Sequence, residues 1–196
     1  MTQVVRSELI LGGQKSGKSR RAETLAQLWL AGGSQRSALL IATAQAFDDE
    51  MRLRIERHRQ DRLLRVPDMK TIEEPLALAA TIKAYSQPNT LIIVDCLTLW
   101  LTTQLMPPDS TLPSLSNSLS SNSWETLAKD LCGAIAQAPG PLVLVGNEIG
   151  LGVIPLGREV RAFVDALGLL NQMIAATCER VTLMCAGLPL ALKGSA

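Results

Sequence analysis

The sequence predicts an α/β fold, a mainly parallel sheet with helices on both faces, and three observations carry that reading. Short aliphatic runs alternate with longer helical patterns along the chain. The runs are continuously apolar rather than alternating, as in parallel strands covered on both sides. Their order is β-α-β repeated, which a right-handed parallel crossover accommodates.

Taken in order, the strands are expected at residues 9–11, 38–42, 91–94, 142–145 and 181–184, and the helices near 19–31, 48–62, 75–85, 124–138 and 158–178. Residues 106–123 break the pattern, being rich in Pro, Ser, Asn and Leu without a sustained period, and are expected to form a mobile surface loop. At 196 residues the chain fits one domain, 1–196, large enough to bury a core without disulfides or metals.

Composition narrows the function. A formal net charge of +1 argues against nucleic acid as a bulk electrostatic partner. Cys96, Cys132, Cys178 and Cys185 are scattered among apolar segments, with no CxxC pair, and read as reduced core residues of a cytoplasmic protein. The polar start lacks the pattern of a secretory leader, and no apolar run approaches the ~20 residues that span a bilayer. The aliphatic richness also suits a subunit with buried oligomer contacts.

The strongest local signal is Gly12-Gly13-Gln14-Lys15-Ser16-Gly17-Lys18-Ser19, which satisfies GxxxxGK[ST] between an expected strand and an expected helix. Glycines let backbone N–H groups curl around phosphates, and the helix N-terminus adds a favourable dipole. Lys18 is the group to reach the β- and γ-phosphates, and Ser19 offers a hydroxyl to Mg2+. The fold is therefore expected to be P-loop NTPase-like, binding a nucleoside triphosphate. The run Leu91-Ile92-Ile93-Val94-Asp95 ends a second apolar strand in a carboxylate, where the acidic partner of the metal sits in such proteins. A regulatory GTPase would show Asn-Lys-x-Asp after a late strand, whereas this chain has Gly146-Asn147-Glu148-Ile149-Gly150.

His58 is the single histidine. It shares a helix face with Met51 and Ile55, which predicts that it points inward or into a cleft. Arg52, Arg54, Arg57, Arg59 and Arg62 surround it in sequence, a density of cations that attracts a triphosphate and favours the neutral, nucleophilic imidazole. Spacing alone leaves two readings open, a nucleophile and a half-buried histidine on a solvated basic helix.

Together these residues resemble the bifunctional adenosylcobinamide kinase and adenosylcobinamide-phosphate guanylyltransferase family of cobalamin biosynthesis. The resemblance runs nearly end to end. It includes Gly12-Gly13 and Ser16-Gly17-Lys18-Ser19, Ile41-Ala42-Thr43-Ala44, Asp49-Glu50-Met51 with Arg54-Ile55 and His58-Arg59, and Thr71-Ile72-Glu73. Val94-Asp95-Cys96-Leu97-Thr98, Gly146 to Gly150 with Val153-Ile154-Pro155, and Asn171-Gln172 follow in the same order.

The resemblance implies phosphorylation of adenosylcobinamide with ATP or GTP, then transfer of GMP from GTP to the resulting phosphate, with His58 carrying GMP covalently. It also implies that Ala42, Thr43, Ala44, Arg59, Gln60, Asp61, Arg62, Glu73 and Asp95 contact the guanine nucleotide. Ser19 and Asp95 would hold Mg2+, and the chain would form a homotrimer with a corrinoid as its small-molecule partner. The chain departs from the family pattern at Gln14-Lys15, after Arg62, at Thr103 and at Val164, and 106–123 is longer than usual. Two rival readings remain at this stage, a small-molecule kinase without guanylyl transfer and a non-enzymatic nucleotide switch.

Overall fold

The computed structural model describes residues 3–46, 49–106 and 123–194. The expected loop at 106–123 lies, but for its two end residues, outside the described residues.

One seven-stranded sheet organises the chain. Its strands are β1 (Ser7–Gly12), β2 (Ser37–Ala42), β3 (Lys70–Glu73), β4 (Thr90–Asp95), β5 (Leu142–Val145), β6 (Arg180–Cys185) and β7 (Leu188–Lys193), in the order β3-β2-β4-β5-β1-β6-β7. Every pairing is parallel except β6 with β7. The helices are α1 (Lys18–Ala31), α2 (Asp49–Arg65), α3 (Leu78–Tyr85), α4 (Leu97–Leu105), α5 (Ser123–Gln137) and α6 (Arg158–Thr177).

Side chains alternate between two apolar layers, as the pleat requires. Leu9, Leu39, Ile41, Ile92, Val94 and Leu144 face α3, α4, α5 and α6 on one side. On the other, Ile10, Leu40, Ile93 and Val143 meet Ala22, Leu25 and Ala26 of α1. Because both faces are covered, the five expected strands read as unbroken aliphatic runs.

The structure adds three elements to the expected order, each for a physical reason. β3 is an edge strand whose only partly buried residue is Ile72, so it lacks the apolar run of a central strand. β7 is the opposite edge, mostly exposed and carrying Pro189, which an edge strand tolerates. Ala186 and Gly187, both at positive φ, form the tight turn that reverses the chain between β6 and β7. The third addition, α4, buries Leu97, Thr98, Trp100, Leu101 and Thr103 and so shows no polar stripe from which to read a helical period.

Burial corrects the reading of the cysteines. Cys96 and Cys178 are core residues and Cys132 is half-buried, but Cys185 is exposed where β6 runs into its turn. Burial pushes the thiols of Cys96 and Cys178 up to about 12. Beneath β1, the buried carboxylate of Glu8 is met by Arg21 at 2.8 Å, Arg180 at 3.3 Å and the hydroxyl of Thr182 at 2.8 Å. No helix among the described residues is long and apolar enough to cross a membrane.

Candidate active site

The carboxyl ends of the parallel strands gather the chemistry, because register places Glu73 beside Ala42, Ala42 beside Asp95, and Asp95 beside Val145. In open α/β sheets this edge is where ligands bind. Residues 13–17 link β1 to α1 at the same edge. Gly12 has φ 151°, and a Cβ there would lie 2.5 Å from the Met184 carbonyl oxygen and 2.6 Å from Ser16 Oγ. Gly17 caps α1 in the left-handed region, at φ 102°. Lys15 also takes positive φ, 56°, so the loop curls as a phosphate cradle requires.

Two side chains of this loop are prepared for an anion. Lys18 is buried, and its Nζ donates to the Gly13 carbonyl at 2.7 Å across the loop. Ser16 Oγ is buried without a hydrogen-bond partner among the described residues. A buried hydroxyl left unpaired is costly unless a ligand completes it. Gln14 and Lys15 are exposed on the loop's outer side.

Across the mouth, Ser19 Oγ donates to Asp95 Oδ2 at 3.0 Å. A hydroxyl and a carboxylate are hard oxygen donors, the set that suits Mg2+ completed by phosphates and water. Among the described residues no group of three or more His, Cys, Asp or Glu gathers into a self-sufficient metal site. Thr43 is fully buried, and its hydroxyl donates to the Cys96 carbonyl at 2.7 Å while accepting from Cys96 N–H at 2.8 Å. Its side chain thus locks the end of β2 to the end of β4. Ala42 and Ala44 flank it, half-buried, and Gln45 adds a buried Oε1 without a partner among the described residues. Glu73 is exposed at the end of β3.

Helix α2 joins this edge through its C-terminal half. Arg65 pairs with Glu23 of α1 at 2.7 Å, and Gln27 donates to the Arg65 carbonyl at 2.7 Å. Arg62 is half-buried. Burial holds its guanidinium below the usual range, Asp95 and Glu23 act in the opposite sense, and Arg59 adds to the lowering. Arg62 therefore lies within the electrostatic reach of Asp95. His58 precedes Arg62 by four residues and so stands on the same helix face.

Of the two placements expected for His58, inward or into a cleft, the first is not met, for the side chain is exposed. Met51 and Ile55 are only half-buried, and the rest of α2 is dominated by Arg, Glu and Asp, so the helix has too little apolar surface to press this face into the core. Arg59 and Gln60 are likewise exposed, with Gln60 bonded to Glu56 at 2.6 Å, and Asp61 is half-buried near Arg65.

Sequence reasoning did not select the exit of β5. Asn147 and Glu148 emerge there half-buried, between the phosphate loop and Asp95. The available signal was a short apolar strand ending in Gly-Asn-Glu.

An open parallel sheet with a glycine-rich loop, a buried lysine and a Ser–Asp pair at one edge defines a phosphate-loop nucleotide-binding protein. A solved structure from Pyrococcus horikoshii OT3 shares this fold, with a TM-score of 0.53 at 9% identity over 100% of this chain and 89% of its own. More specifically, the chain belongs to the family described as cobinamide kinase / cobinamide phosphate guanyltransferase, whose model matches residues 8–192. It is 45% identical over 187 residues to the bifunctional adenosylcobalamin biosynthesis protein CobP of Pseudomonas aeruginosa, covering 95% of this chain and 97% of that protein. Its identity to the bifunctional adenosylcobalamin biosynthesis protein CobU of Escherichia coli is 34% over 193 residues, covering 94% and 98%. The chain is thus an enzyme of the bifunctional kinase and guanylyltransferase class.

Proposed function

We propose that this chain runs both reactions at one nucleotide edge, with His58 as the covalent carrier of GMP. In the kinase step the hydroxyl of adenosylcobinamide attacks the γ-phosphate of ATP or GTP held by residues 12–19. In the guanylyl step an imidazole nitrogen of His58 attacks the α-phosphate of GTP and pyrophosphate leaves. Adenosylcobinamide phosphate then displaces His58, breaking the P–N bond and giving adenosylcobinamide-GDP. Dividing the transfer replaces one difficult displacement with two easier ones.

The observation that carries this reading is the reach of α2: Arg62 lies within the field of Asp95, and His58 stands one turn away on the same face. Exposure of His58 leaves its imidazole accessible to an α-phosphate. Lys18 would stabilise negative charge on the transferred or departing phosphates, aided by Mg2+ on Ser19 and Asp95. Arg59, Gln60, Asp61 and Arg62 would line the nucleotide from the helix side. Ala42, Thr43, Ala44 and Glu73 would border it from the strand ends, Thr43 by holding the backbone in place.

We place the enzyme in the cytoplasm, as one domain assembled into a homotrimer. Its surface supports assembly: Leu151, Val153, Ile154 and Leu156 lie 77–98% exposed on one stretch of chain. Incubation with α-labelled GTP tests the central claim. Wild type is expected to retain acid-labile, alkali-stable label and His58→Ala none. An unlabelled wild type leaves a kinase alone.

A further inference from the structure

We propose that Glu148 is the catalytic base of the kinase step, taking the proton from the acceptor hydroxyl as that oxygen attacks the γ-phosphate. The assignment rests on the two-step reading above. Position is the first argument. β5 lies between β1 and β4, so its exit is bracketed by the phosphate loop on one side and Asp95 on the other. Beyond Val145 the chain keeps pairing with β1: Gly146 N donates to the Ile10 carbonyl at 2.9 Å and Glu148 N to the Gly12 carbonyl at 3.1 Å. Glu148 is therefore anchored on the first residue of the loop.

Its support is rigid. Asn147 N donates to Thr98 Oγ1 at 2.8 Å, and Asn171 Nδ2 donates to the Asn147 carbonyl at 3.1 Å. Gly146 is hemmed in, since a Cβ there would stand 3.1 Å from Leu11 and 3.4 Å from Asn171. Helices α4 and α6 thus hold the residues on which Glu148 sits. A group that must meet a reacting atom needs such a frame.

The side chain is half-buried, with Oε1 accepting from Gly150 N at 2.8 Å. A glutamine oxygen would serve that turn equally well, so the turn does not explain a carboxylate. Glu8 and Glu23 are each paired with arginine, whereas no Lys or Arg among the described residues forms an ion pair with Glu148. An unpaired carboxylate beside a triphosphate opposes nucleotide binding electrostatically, and proton acceptance is a reason to keep it there. The chain just after Glu148 borders a small open cavity of about 220 Å³ together with Arg161 and Asp165 of α6.

The step balances. The acceptor oxygen forms a bond to the γ-phosphorus, its proton passes to the Glu148 carboxylate, and the bond from that phosphorus to the bridging oxygen breaks as the nucleoside diphosphate leaves. The guanylyl step asks for no such base, because its acceptor is an ionised phosphate.

Glu148→Gln separates the two activities. Assayed as the full chain with GTP and Mg2+, wild type should phosphorylate adenosylcobinamide and also guanylylate supplied adenosylcobinamide phosphate. In Glu148→Gln the first rate should fall about 100-fold or more, the span of general-base contributions, while His58 labelling and the second rate stay within about threefold. Glu148→Asp, which keeps a carboxylate, should recover at least tenfold of the lost kinase rate. Equal loss of both activities, retention of both, or an Asp variant no better than Gln overturns the assignment. A wild type inactive in both reactions instead overturns the reading on which it rests.

Discussion

At the scale of single residues, burial decides what a side chain can do, and sequence position does not. Thr43 belongs to a segment that the family resemblance places on the nucleotide, yet its hydroxyl is spent inside the protein on both backbone groups of Cys96. His58 shows the reverse: helical spacing aimed it inward or into a cleft, and a helix short of apolar surface keeps it out of the core and exposed. The buried thiols carry a pH consequence. Their usual value of 9.0 is pushed by burial to about 12 in Cys96 and Cys178, so between these limits the folded chain binds more protons than the unfolded one. The stability this contributes is fully present below about pH 9 and is lost as pH rises toward 12. Chemical denaturation from pH 8 to 11 should show Cys178→Ala losing less stability than wild type, by about 1 kcal/mol per pH unit above 9. Parallel pH profiles for the two proteins would refute it.

At the scale of elements, the β1–α1 junction is the most tightly specified piece of the molecule. Gly12 sits at positive φ with the Met184 carbonyl and Ser16 Oγ where a side chain would go. Gly12→Ala should therefore displace the loop rather than the sheet. Nucleotide affinity is expected to fall more than tenfold, with an unfolding free energy lowered by about 1–3 kcal/mol. Calorimetric titration with GTP alongside denaturant unfolding measures both, and unchanged affinity would show that the loop tolerates a Cβ. The same junction was legible in the sequence because each residue type there has a separate job. α4, β3 and β7 were not, since α4 lacks a polar stripe, β3 is a short edge strand with only Ile72 partly buried, and β7 is a mostly exposed edge strand interrupted by Pro189.

At the scale of the whole molecule, exposed aliphatic surface is the feature the single chain leaves unbalanced. Val153 and Leu156 are 95% and 98% exposed, and Leu188, Leu190 and Leu192 add an apolar row on β7. Large apolar side chains left this exposed are candidates for burial in an interaction surface. Sedimentation equilibrium at micromolar protein is expected to give three times the 21.1 kDa chain mass; a lone monomer would remove the trimer.

The sequence by itself determined the sheet-forming runs, the phosphate loop and the acidic strand end, because these depend on residue type at short spacing. It also carried, through the order of its motifs, the family to which the chain belongs. Only the tertiary structure decided which groups meet at the loop. Strand order placed β5 between β1 and β4, and that crossing brought Glu148 onto Gly12 and α2's Arg62 toward Asp95. Residues that distant in sequence are brought together by strand pairing and helix packing, which no local pattern encodes.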